Sequence, residues 1–278
     1  MSFRIVPFST RQEWLALRRS GIGASDISGI MGISPWTTPF QVWASKVGNL
    51  REVMDDEAMR WGRILEDVIL EEWARQTAVE IKHRQPLIRN LERPFMVATP
   101  DALPSYPAVV EVKNNSDWAW TEPPAHYYAQ VQWQLAVTGY KLGDLVVLHA
   151  GRQMMVYPIE ANAEYQARQI EAAEDFWKHV EANEPPSTKW EDSAVMAHLW
   201  PYSTEQTVEV GPDAALELYE ARSARDAGNE RYEAATAAVK VMMKEADTAV
   251  CGQQVVAKWS TNKNGTRRFV VKGDELND

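Results

Sequence analysis

The sequence predicts a mixed α/β fold, in which a β-sheet is flanked by helices. The first observation behind this prediction is that segments with helical spacing of apolar residues alternate along the chain with short apolar runs typical of strands. The second is the composition, with 45% hydrophobic and 24% charged residues in 278. Such a chain is globular and long enough to bury a sizeable core.

The helices are marked by capping residues and by apolar residues at helical spacing. A helix is predicted to begin after Thr10, and a glycine-rich turn containing Ser25 leads into a second, short helix. A long helix is predicted from Asp56 to Gln76, and another from about Pro124 to Thr138. An amphipathic helix follows from Ala161 to Asn183.

The strands are predicted between these helices. One runs from Pro86 to Thr99 and one from Ala108 to Lys113, with a proline-rich connection between them. The segments DLVVLHA and QMMVYPIE are two further short strands around the turn Gly151-Arg152. The resulting order of helix, strands, helix and strands indicates a mixed α/β core.

The character of the sequence changes after Pro186. We therefore predict one domain over residues 1–185 and a C-terminal extension over residues 186–278. Pro212 to Asp247 is rich in Ala, Glu and Arg and predicts either one long helix or a helical hairpin broken near Gly228-Asn229.

The end of the extension predicts a β-hairpin. Residues 249–272 read as two strands around Asn264-Gly265, a dipeptide typical of tight hairpin turns. The segment from Cys251 to Gly273 also contains five Lys or Arg residues and no acid. Because the whole chain has a formal net charge of -10, it is not coated in basic surface, and any contact with a polyanion must be local.

The cysteine content, motifs and hydropathy of the sequence exclude several kinds of site and classes of protein. The single cysteine excludes an internal disulfide and any iron–sulfur or zinc site that needs several thiolates from one chain. The five histidines show no ligand spacing, and no Walker-type loop is present. The first residues lack a signal-peptide pattern, and no apolar run approaches the roughly 20 residues of a membrane helix. We expect a soluble, cytoplasmic protein.

The most informative segment is Thr99-Pro100-Asp101, which is followed ten residues later by Glu111-Val112-Lys113. Because side chains alternate along a strand, Glu111 and Lys113 share one face. If the connection folds Asp101 back beside them, two carboxylates and an ammonium meet at one point. That combination suits a hard cation such as Mg²⁺ or Mn²⁺ and an attacking water.

The alternative explanation is a salt bridge on a solvated face of the sheet. The apolar residues that flank Glu111 in AVVEVKN favour a buried strand over a solvated one. An unpaired charge in a buried strand is costly unless a metal or partner compensates it.

Two further side chains can join this group. Glu66 lies on a flank of the long helix that can face the sheet, the alternative being an ordinary surface glutamate. In the helix of AQVQWQLAVTG, Gln132 shares a stripe with Tyr128 and Ala136 and can point inward beside the carboxylates. The alternative for Gln132 is that it only satisfies backbone groups.

Five segments in order over about residues 11–180, RRSGIGASD, WGRILE, TPDAL, VEVK and AQVQWQLAVTG, resemble the successive motifs of the lambda exonuclease or YqaJ family. The resemblance implies a restriction-endonuclease-like core of the PD-(D/E)xK type, with the helical segment and β-hairpin as an addition. It implies that Asp101, Glu111, Glu66 and the Val112 carbonyl hold metal, as two Mg²⁺ ions for which Mn²⁺ can substitute. Lys113 would position or activate the water.

The same resemblance implies a pocket for a 5′-terminal phosphate, formed by Arg18, Ser25, Thr99 and Gln132. Thr99 replaces a serine of the best-known member and keeps its hydroxyl. The implied activity is 5′ to 3′ digestion of linear double-stranded DNA with 5′-phosphorylated ends, which leaves 3′ single-stranded tails for recombination by strand annealing. The implied partners are a single-strand annealing protein and further copies of the chain in a ring-shaped trimer.

Two alternatives stay open, an endonuclease of the same fold and a catalytically silent DNA-binding protein. Trp36, in the loop SPWTTP, is the tryptophan best suited to wedge into a duplex. The resemblance is weakest over residues 186–278, whose hairpin can guide DNA, contact an annealing protein or complete an oligomer. Contact with DNA or with a second copy is the favoured interpretation.

Overall fold

The computed structural model describes residues 3–48 and 57–272. Over these ranges the strands are β1 Phe3–Ile5, β2 Ile81–Arg84, β3 Ile88–Asn90, β4 Val97–Ala98, β5 Ala102–Pro104, β6 Ala108–Asn115, β7 Leu142–His149, β8 Gln153–Glu160, β9 Thr248–Cys251, β10 Gln254–Thr261 and β11 Arg267–Val271. The helices are α1 Arg11–Arg19, α2 Ala24–Ile30, α3 Pro39–Val47, α4 Glu57–Thr77, α5 Ala125–Thr138, α6 Ala163–Ala182, α7 Ser193–Leu199 and α8 Pro212–Met243. A short 3₁₀ helix, Trp190–Asp192, precedes α7.

A five-stranded sheet in the order β2-β5-β6-β7-β8 forms the centre of the first part of the chain. Strands β6 and β7 are parallel, whereas the other neighbouring pairs are antiparallel. Helices α4 and α5 contact the sheet. The predicted mixed α/β fold, with a mixed sheet flanked by helices, is confirmed.

The two faces of β6 belong to different parts of the core. Val109 packs in the apolar cluster that includes α5, whereas Val110 and Val112 pack in the cluster that includes α4. Because side chains alternate along the strand, Glu111 and Lys113 project on the side of α5. The shared face expected from the ExK spacing is therefore present.

Over the described residues, the helices predicted before Pro186 agree with the structure to within two residues, whereas the helix predicted from Pro212 to Asp247 ends four residues earlier, at Met243. Thr10 caps α1 by accepting a hydrogen bond from the backbone N–H of Glu13. Helix α4 is described from Glu57, while the predicted first residue, Asp56, lies outside the described residues. Helix α6 ends at Ala182, and the positive φ of 54° at Asn183 marks the left-handed C-terminal cap.

The predicted strand from Pro86 to Thr99 is wrong as a single element. It contains the two short strands β3 and β4, which pair with each other and, through β3, with β1 in a separate three-stranded sheet. The Asn90 side-chain oxygen accepts hydrogen bonds from the backbone N–H groups of Glu92 and Arg93, both at 2.9 Å. This local bonding reverses the chain, as Asn side chains commonly do in turns.

Contacts divide the chain into two units, Met1–Ser203 and Thr204–Asp278. Residues 186–203 belong to the first unit because α7 contacts α3, and the Thr38 hydroxyl donates to the buried carboxylate of Asp192. The structural division therefore falls later than the boundary after residue 185 that the sequence suggests.

The second unit consists of α8 and a three-stranded antiparallel sheet in the order β11-β10-β9. Helix α8 runs unbroken through Gly228-Asn229, so the helical-hairpin alternative is wrong. The predicted turn joins β10 to β11, and Gly265 there has a φ of +78°. The prediction of two strands omitted β9, which pairs with the other edge of β10. Within the described residues of both units, no helix is long and apolar enough to cross a membrane.

Gly143 on β7 allows α5 to approach the sheet closely. A Cβ atom at this position would lie 2.7 Å from Val131 Cγ1 and 2.9 Å from Val109 Cγ2. We expect Gly143→Ala to lower the free energy of unfolding by about 1–3 kcal/mol, the usual cost of overpacking a core. Urea unfolding followed by circular dichroism measures this difference.

Gly62→Ala in α4 is the matched control for Gly143→Ala. No atom outside the local helix backbone lies within 4 Å of a Cβ at residue 62, and alanine favours a helix over glycine by about 0.5–1 kcal/mol. The control should therefore be as stable as the wild type or more stable. Equal stability of Gly143→Ala and the wild type would contradict the packing described for α5.

Candidate active site

Asp101, Glu111 and Lys113 meet on the central sheet. Asp101 directly precedes β5, which pairs antiparallel with β6 and so returns the chain to residues 111–113. The Asp101 carboxylate accepts a hydrogen bond from the backbone N–H of Val112 at 2.7 Å. The Lys113 ammonium donates to Glu111. The structure thus brings together the two carboxylates and the ammonium that the PD and ExK segments carry.

Glu111 is the buried centre of this group, with 2% of its surface exposed. In addition to Lys113, two glutamines of α5 donate to its carboxylate: Gln130 to Oε1, and Gln134 to Oε2 at 2.6 Å. Residues 130 and 134 are one helical turn apart and therefore lie on the same side of the helix. The donors hold the carboxylate in one orientation and compensate for its removal from water.

Gln132 does not join this group, and the expectation that it lines the phosphate pocket is corrected. Its amide donates to the Glu160 carbonyl at 2.7 Å, and its oxygen accepts from the backbone N–H of Asn162 and the side chain of Gln166, each at 3.0 Å. A two-residue step along a helix rotates the side chain by about 200°. Gln132 therefore satisfies backbone groups before α6, while Gln130 lies in the cleft.

Glu66 reaches the group from α4, and its negative charge acts on Asp101. Its carboxylate accepts a hydrogen bond from the Gln85 side chain at 2.5 Å, and the Gln85 backbone N–H donates to the Asp101 carbonyl at 2.9 Å. Gln85 has a φ of +45°, a region that favours glycine, so the turn between β2 and β3 is held in a costly conformation. No sequence pattern marks Gln85, because its role depends on that turn.

Three carboxylates lie close to one ammonium, and their charges shift the pKa values of Asp101 and Lys113. Burial is the largest cause of a raised pKa for Asp101, and the charge of Glu111 raises it further; Lys113 opposes this shift, and Glu66 adds to it. For Lys113, burial would lower the pKa, but the charges of Glu111 and Asp101 outweigh it and raise the pKa. The site has an excess of negative charge that a bound cation would relieve.

Oxygen donors dominate the candidate ligands. Asp101, Glu111 and Glu66 offer carboxylates, which Mg²⁺ and Mn²⁺ prefer as protein ligands. Among residues 3–48 and 57–272, no group of three His, Cys, Asp or Glu side chains stands ready to hold a metal ion. Each of these three carboxylates accepts a hydrogen bond from the protein instead. The donor chemistry and the excess negative charge both fit a divalent cation.

A small cleft opens beside the carboxylates, with a volume of about 170 Å³. Its lining consists of Arg18, Ala24, Ser25, Thr99, Asp101, Glu111 and Gln130. The Arg18 guanidinium donates to the Ser25 hydroxyl at 2.9 Å and lies 4.8 Å from the centre of the Trp14 ring. Clefts for drug-sized ligands measure about 300–1,000 Å³, so this one suits a small group. A guanidinium beside two hydroxyls matches the oxygens of a phosphate.

A largely buried ion pair supports the Arg18 loop. Lys46 Nζ lies 2.5 Å from the Asp26 carboxylate and donates to the Arg18 carbonyl at 3.2 Å. Asp26 also accepts from the Gly23 backbone N–H at 2.7 Å, which closes the start of α2. Burial would raise the pKa of Asp26, but Lys46 and then Arg18 outweigh it, so the pKa is lowered. Sequence reasoning missed this pair because its members are twenty residues apart and carry no joint pattern.

Aromatic side chains line the approach to Lys113. The Tyr127 ring centre lies 5.5 Å from Lys113 Nζ. Next to it, the Trp36 ring lies 4.8 Å from His126 and 6.2 Å from Tyr127. Trp36 is 67% exposed, so the loop tryptophan singled out in the sequence is available to a ligand at this rim.

Comparison with known proteins gives matches over the same part of the chain. The model of a YqaJ-like viral recombinase domain matches residues 13–141. YqaJ, an uncharacterized protein of Bacillus subtilis, is 32% identical over 177 residues, which are 60% of this chain and 56% of that protein. The chain therefore spans little more than half the length of this relative.

The fold also matches solved structures. An alkaline exonuclease (LHK-Exo) from Laribacter hongkongensis has a TM-score of 0.54 and 22% identity, with coverage of 62% of this chain and 93% of that one. Its complex with dAMP gives a TM-score of 0.52 at the same identity and coverage. At this level of identity the match shows the fold.

The sheet and its flanking helices have the restriction-endonuclease-like PD-(D/E)xK fold, and Asp101, Glu111 and Lys113 cluster on this sheet. Residues 13–141 include every side chain described above for the carboxylate group and the cleft. Over these residues the chain is similar to the YqaJ-like viral recombinase domain.

Removing one partner of the buried ion pair tests its support of the cleft. Asp26→Asn leaves the Lys46 ammonium, 4% exposed, without its carboxylate. We expect the free energy of unfolding to fall by about 3–5 kcal/mol, as for other buried pairs broken on one side. Urea unfolding measures the change.

The double variant Asp26→Asn/Lys46→Met removes both charges and should recover most of the lost stability. Asp175→Asn breaks an exposed ion pair with Lys178 and serves as the control, for which we expect no measurable change. Wild-type stability of the single variant Asp26→Asn, or no recovery in the double variant, would show that the buried charges do not depend on each other.

Proposed function

We propose that this protein is a divalent-metal-dependent exonuclease that digests linear double-stranded DNA from a 5′-phosphorylated end. One observation carries the proposal: Asp101 and Glu111 line the same cleft as Arg18, Ser25 and Thr99. A terminal phosphate bound by the cationic side of the cleft would place the next phosphodiester near the carboxylates. The match of residues 13–141 to a YqaJ-like viral recombinase domain and the similar fold of an alkaline exonuclease support the same activity.

Asp101, Glu111 and Glu66, with the Val112 carbonyl, are the proposed metal ligands, and two Mg²⁺ ions, or Mn²⁺ in their place, are the proposed cofactors. When bound, such ions lower the pKa of an attacking water and stabilise a leaving oxygen. In the hydrolysis, the water oxygen bonds to phosphorus, the bond to the 3′ oxygen breaks, and the leaving oxygen gains a proton.

Lys113 orients the water and adds positive charge where negative charge develops on the phosphoryl group. Its ammonium is held in place by the buried Glu111 carboxylate. The ring centre of Tyr127 lies 5.5 Å from the same ammonium. These contacts fix the ammonium before DNA binds, which is the condition for effective electrostatic catalysis.

Arg18 sets the proposed preference for the DNA end. Its guanidinium donates to Ser25 and can donate in parallel to two phosphate oxygens. Ser25 and Thr99 add hydroxyls, and Gln130 adds an amide to the same cleft. If Arg18 binds the 5′ phosphate, digestion starts at that end and proceeds from 5′ to 3′. It leaves 3′ single-stranded tails for strand annealing. The annealing protein and the ring-shaped trimer remain predictions from the family resemblance.

Loss of Lys113 tests the assignment of the active site. We expect Lys113→Ala to lower the rate of nucleotide release from linear duplex DNA with Mg²⁺ by about 10²–10³-fold, the usual effect of removing one preorganised group that stabilises developing charge. Lys82→Ala removes an exposed lysine of β2 and should leave the rate unchanged. EDTA should abolish the wild-type rate. Full activity of folded Lys113→Ala would remove Lys113 from the mechanism.

The role of Arg18 is tested with one duplex that carries either a 5′ phosphate or a 5′ hydroxyl. The wild type should prefer the phosphorylated end. Arg18→Gln should slow its digestion by about 10- to 150-fold, because a hydrogen bond to a charged group contributes about 1.5–3 kcal/mol. Digestion of the hydroxyl end should change little, so the preference disappears.

Arg93→Gln, which removes an exposed arginine paired with Glu174, is the control for Arg18→Gln and should keep the preference. A wild type without preference for either end would overturn the phosphate pocket. Covalently closed circular DNA distinguishes an exonuclease from an endonuclease, because it has no end. Rapid digestion of closed circles would favour the endonuclease alternative.

A further inference from the structure

The three-stranded sheet of the second unit has two chemically different faces. On one face Trp259 of β10 lies opposite Phe269 of β11. Lys240 of α8 lies over both rings, with its ammonium 5.7 and 5.2 Å from their centres, and Ala257 on the same face is buried. This face therefore packs against the helix and is not available to a partner.

The other face carries three exposed cations, Lys258, Arg268 and Lys272. Lys258 lies opposite Val270, and Arg268 lies opposite Ser260 in the next row of the sheet. Lys272 follows β11 one row in the other direction. Successive rows are about 6.6 Å apart, and diagonal neighbours about 7–8 Å apart. The three cations thus form one line along the strands, which we call the row of cations. It alternates between β10 and β11 and ends near Lys263 in the turn.

Within residues 204–272, no acidic side chain forms a salt bridge with the three cations of this row. The segment from residue 248 to 272 contains no Asp or Glu. The preceding acid, Asp247, lies 3.8 Å from Arg267, whose guanidinium stacks on Trp259 on the helix-packed face. Among the described residues, no salt bridge engages Lys258, Arg268 or Lys272. Neighbouring like charges on a sheet are destabilising, so a row of them indicates a ligand rather than a contribution to folding.

We propose that this row, with Lys263 at its end, is a basic face that binds the phosphate backbone of double-stranded DNA without reading its sequence. Duplex DNA presents about one negative charge per 1.7 Å of its axis, and lysine, arginine and hydroxyl side chains supply most contacts to it. Ser260 and Thr266 place hydroxyls between the cations. A protein partner would instead call for aromatic or large apolar residues at the centre of the face.

This inference is independent of catalysis, since DNA binding by the basic face needs neither cleavage nor a metal ion. The test is therefore made in EDTA on the full chain, with a fluorescently labelled blunt duplex and fluorescence anisotropy. Binding is measured between about 50 and 200 mM salt for the wild type and for Lys258→Gln/Arg268→Gln/Lys272→Gln. The matched control, Arg222→Gln/Arg225→Gln/Arg231→Gln, removes three exposed cations from α8 of the same unit.

Each lost phosphate contact lowers the slope of log affinity against log salt by about 0.9, so three lower it by about 2.7. Across this fourfold range of salt, wild-type affinity should fall about 40-fold more than that of the basic-face variant. The control should keep the wild-type slope, although its net charge changes equally. A folded basic-face variant with the wild-type slope would overturn the proposal.

Two further variants keep the result interpretable. The single change Lys258→Gln, at an exposed position, should lower the slope by about 0.9 even if the triple variant folds poorly. Asp175→Asn, at an exposed position outside both the basic face and the candidate active site, should leave the slope unchanged. Failure of the nuclease proposal would then be visible in digestion assays alone, separately from failure of the basic face.

Discussion

The burial of Glu111 between β6 and α5 is the interaction on which the candidate site depends. A carboxylate removed from water is costly unless donors surround it, and here Lys113, Gln130 and Gln134 provide them. The donors come from both the strand and the helix. The carboxylate therefore joins sheet to helix at the point where the cleft opens, and the close contact at Gly143 holds the same helix near β7.

A strand pair, a turn and an ion pair position the other residues of the site around Glu111. The pairing of β5 with β6 returns Asp101 to Val112, and the turn at Gln85 connects Asp101 to Glu66. On the opposite side of the cleft, the Asp26–Lys46 pair secures the loop that presents Arg18. A negatively charged centre and a positively charged pocket thus share one small cleft. That combination suits a phosphate chain accompanied by divalent cations better than a neutral ligand.

The charge distribution is compatible with the proposed binding of DNA by an acidic chain. A formal charge of -10 repels phosphate at long range, so attraction must arise where cations are grouped and acids are absent. The basic face of β10 and β11 meets this condition in the second unit, whereas Arg18 provides a local cation in a cleft whose carboxylates are proposed to bind divalent cations. Both groups lie on β-sheet or helix termini whose positions are set by packing, which keeps the cations spaced for a ligand.

By itself, the sequence determined the features that depend on short-range periodicity. Strand alternation placed Glu111 and Lys113 on one face, the Thr10 cap marked the start of α1, and apolar spacing identified the long helices. The tertiary structure decided the features that depend on how elements meet. It selected Gln130 instead of Gln132, because the side of α5 that faces Glu111 is set by packing on the sheet. It also joined Asp26 to Lys46 and Gln85 to Glu66, whose pairing depends on distant segments being folded together, an arrangement that spacing along a single chain does not encode.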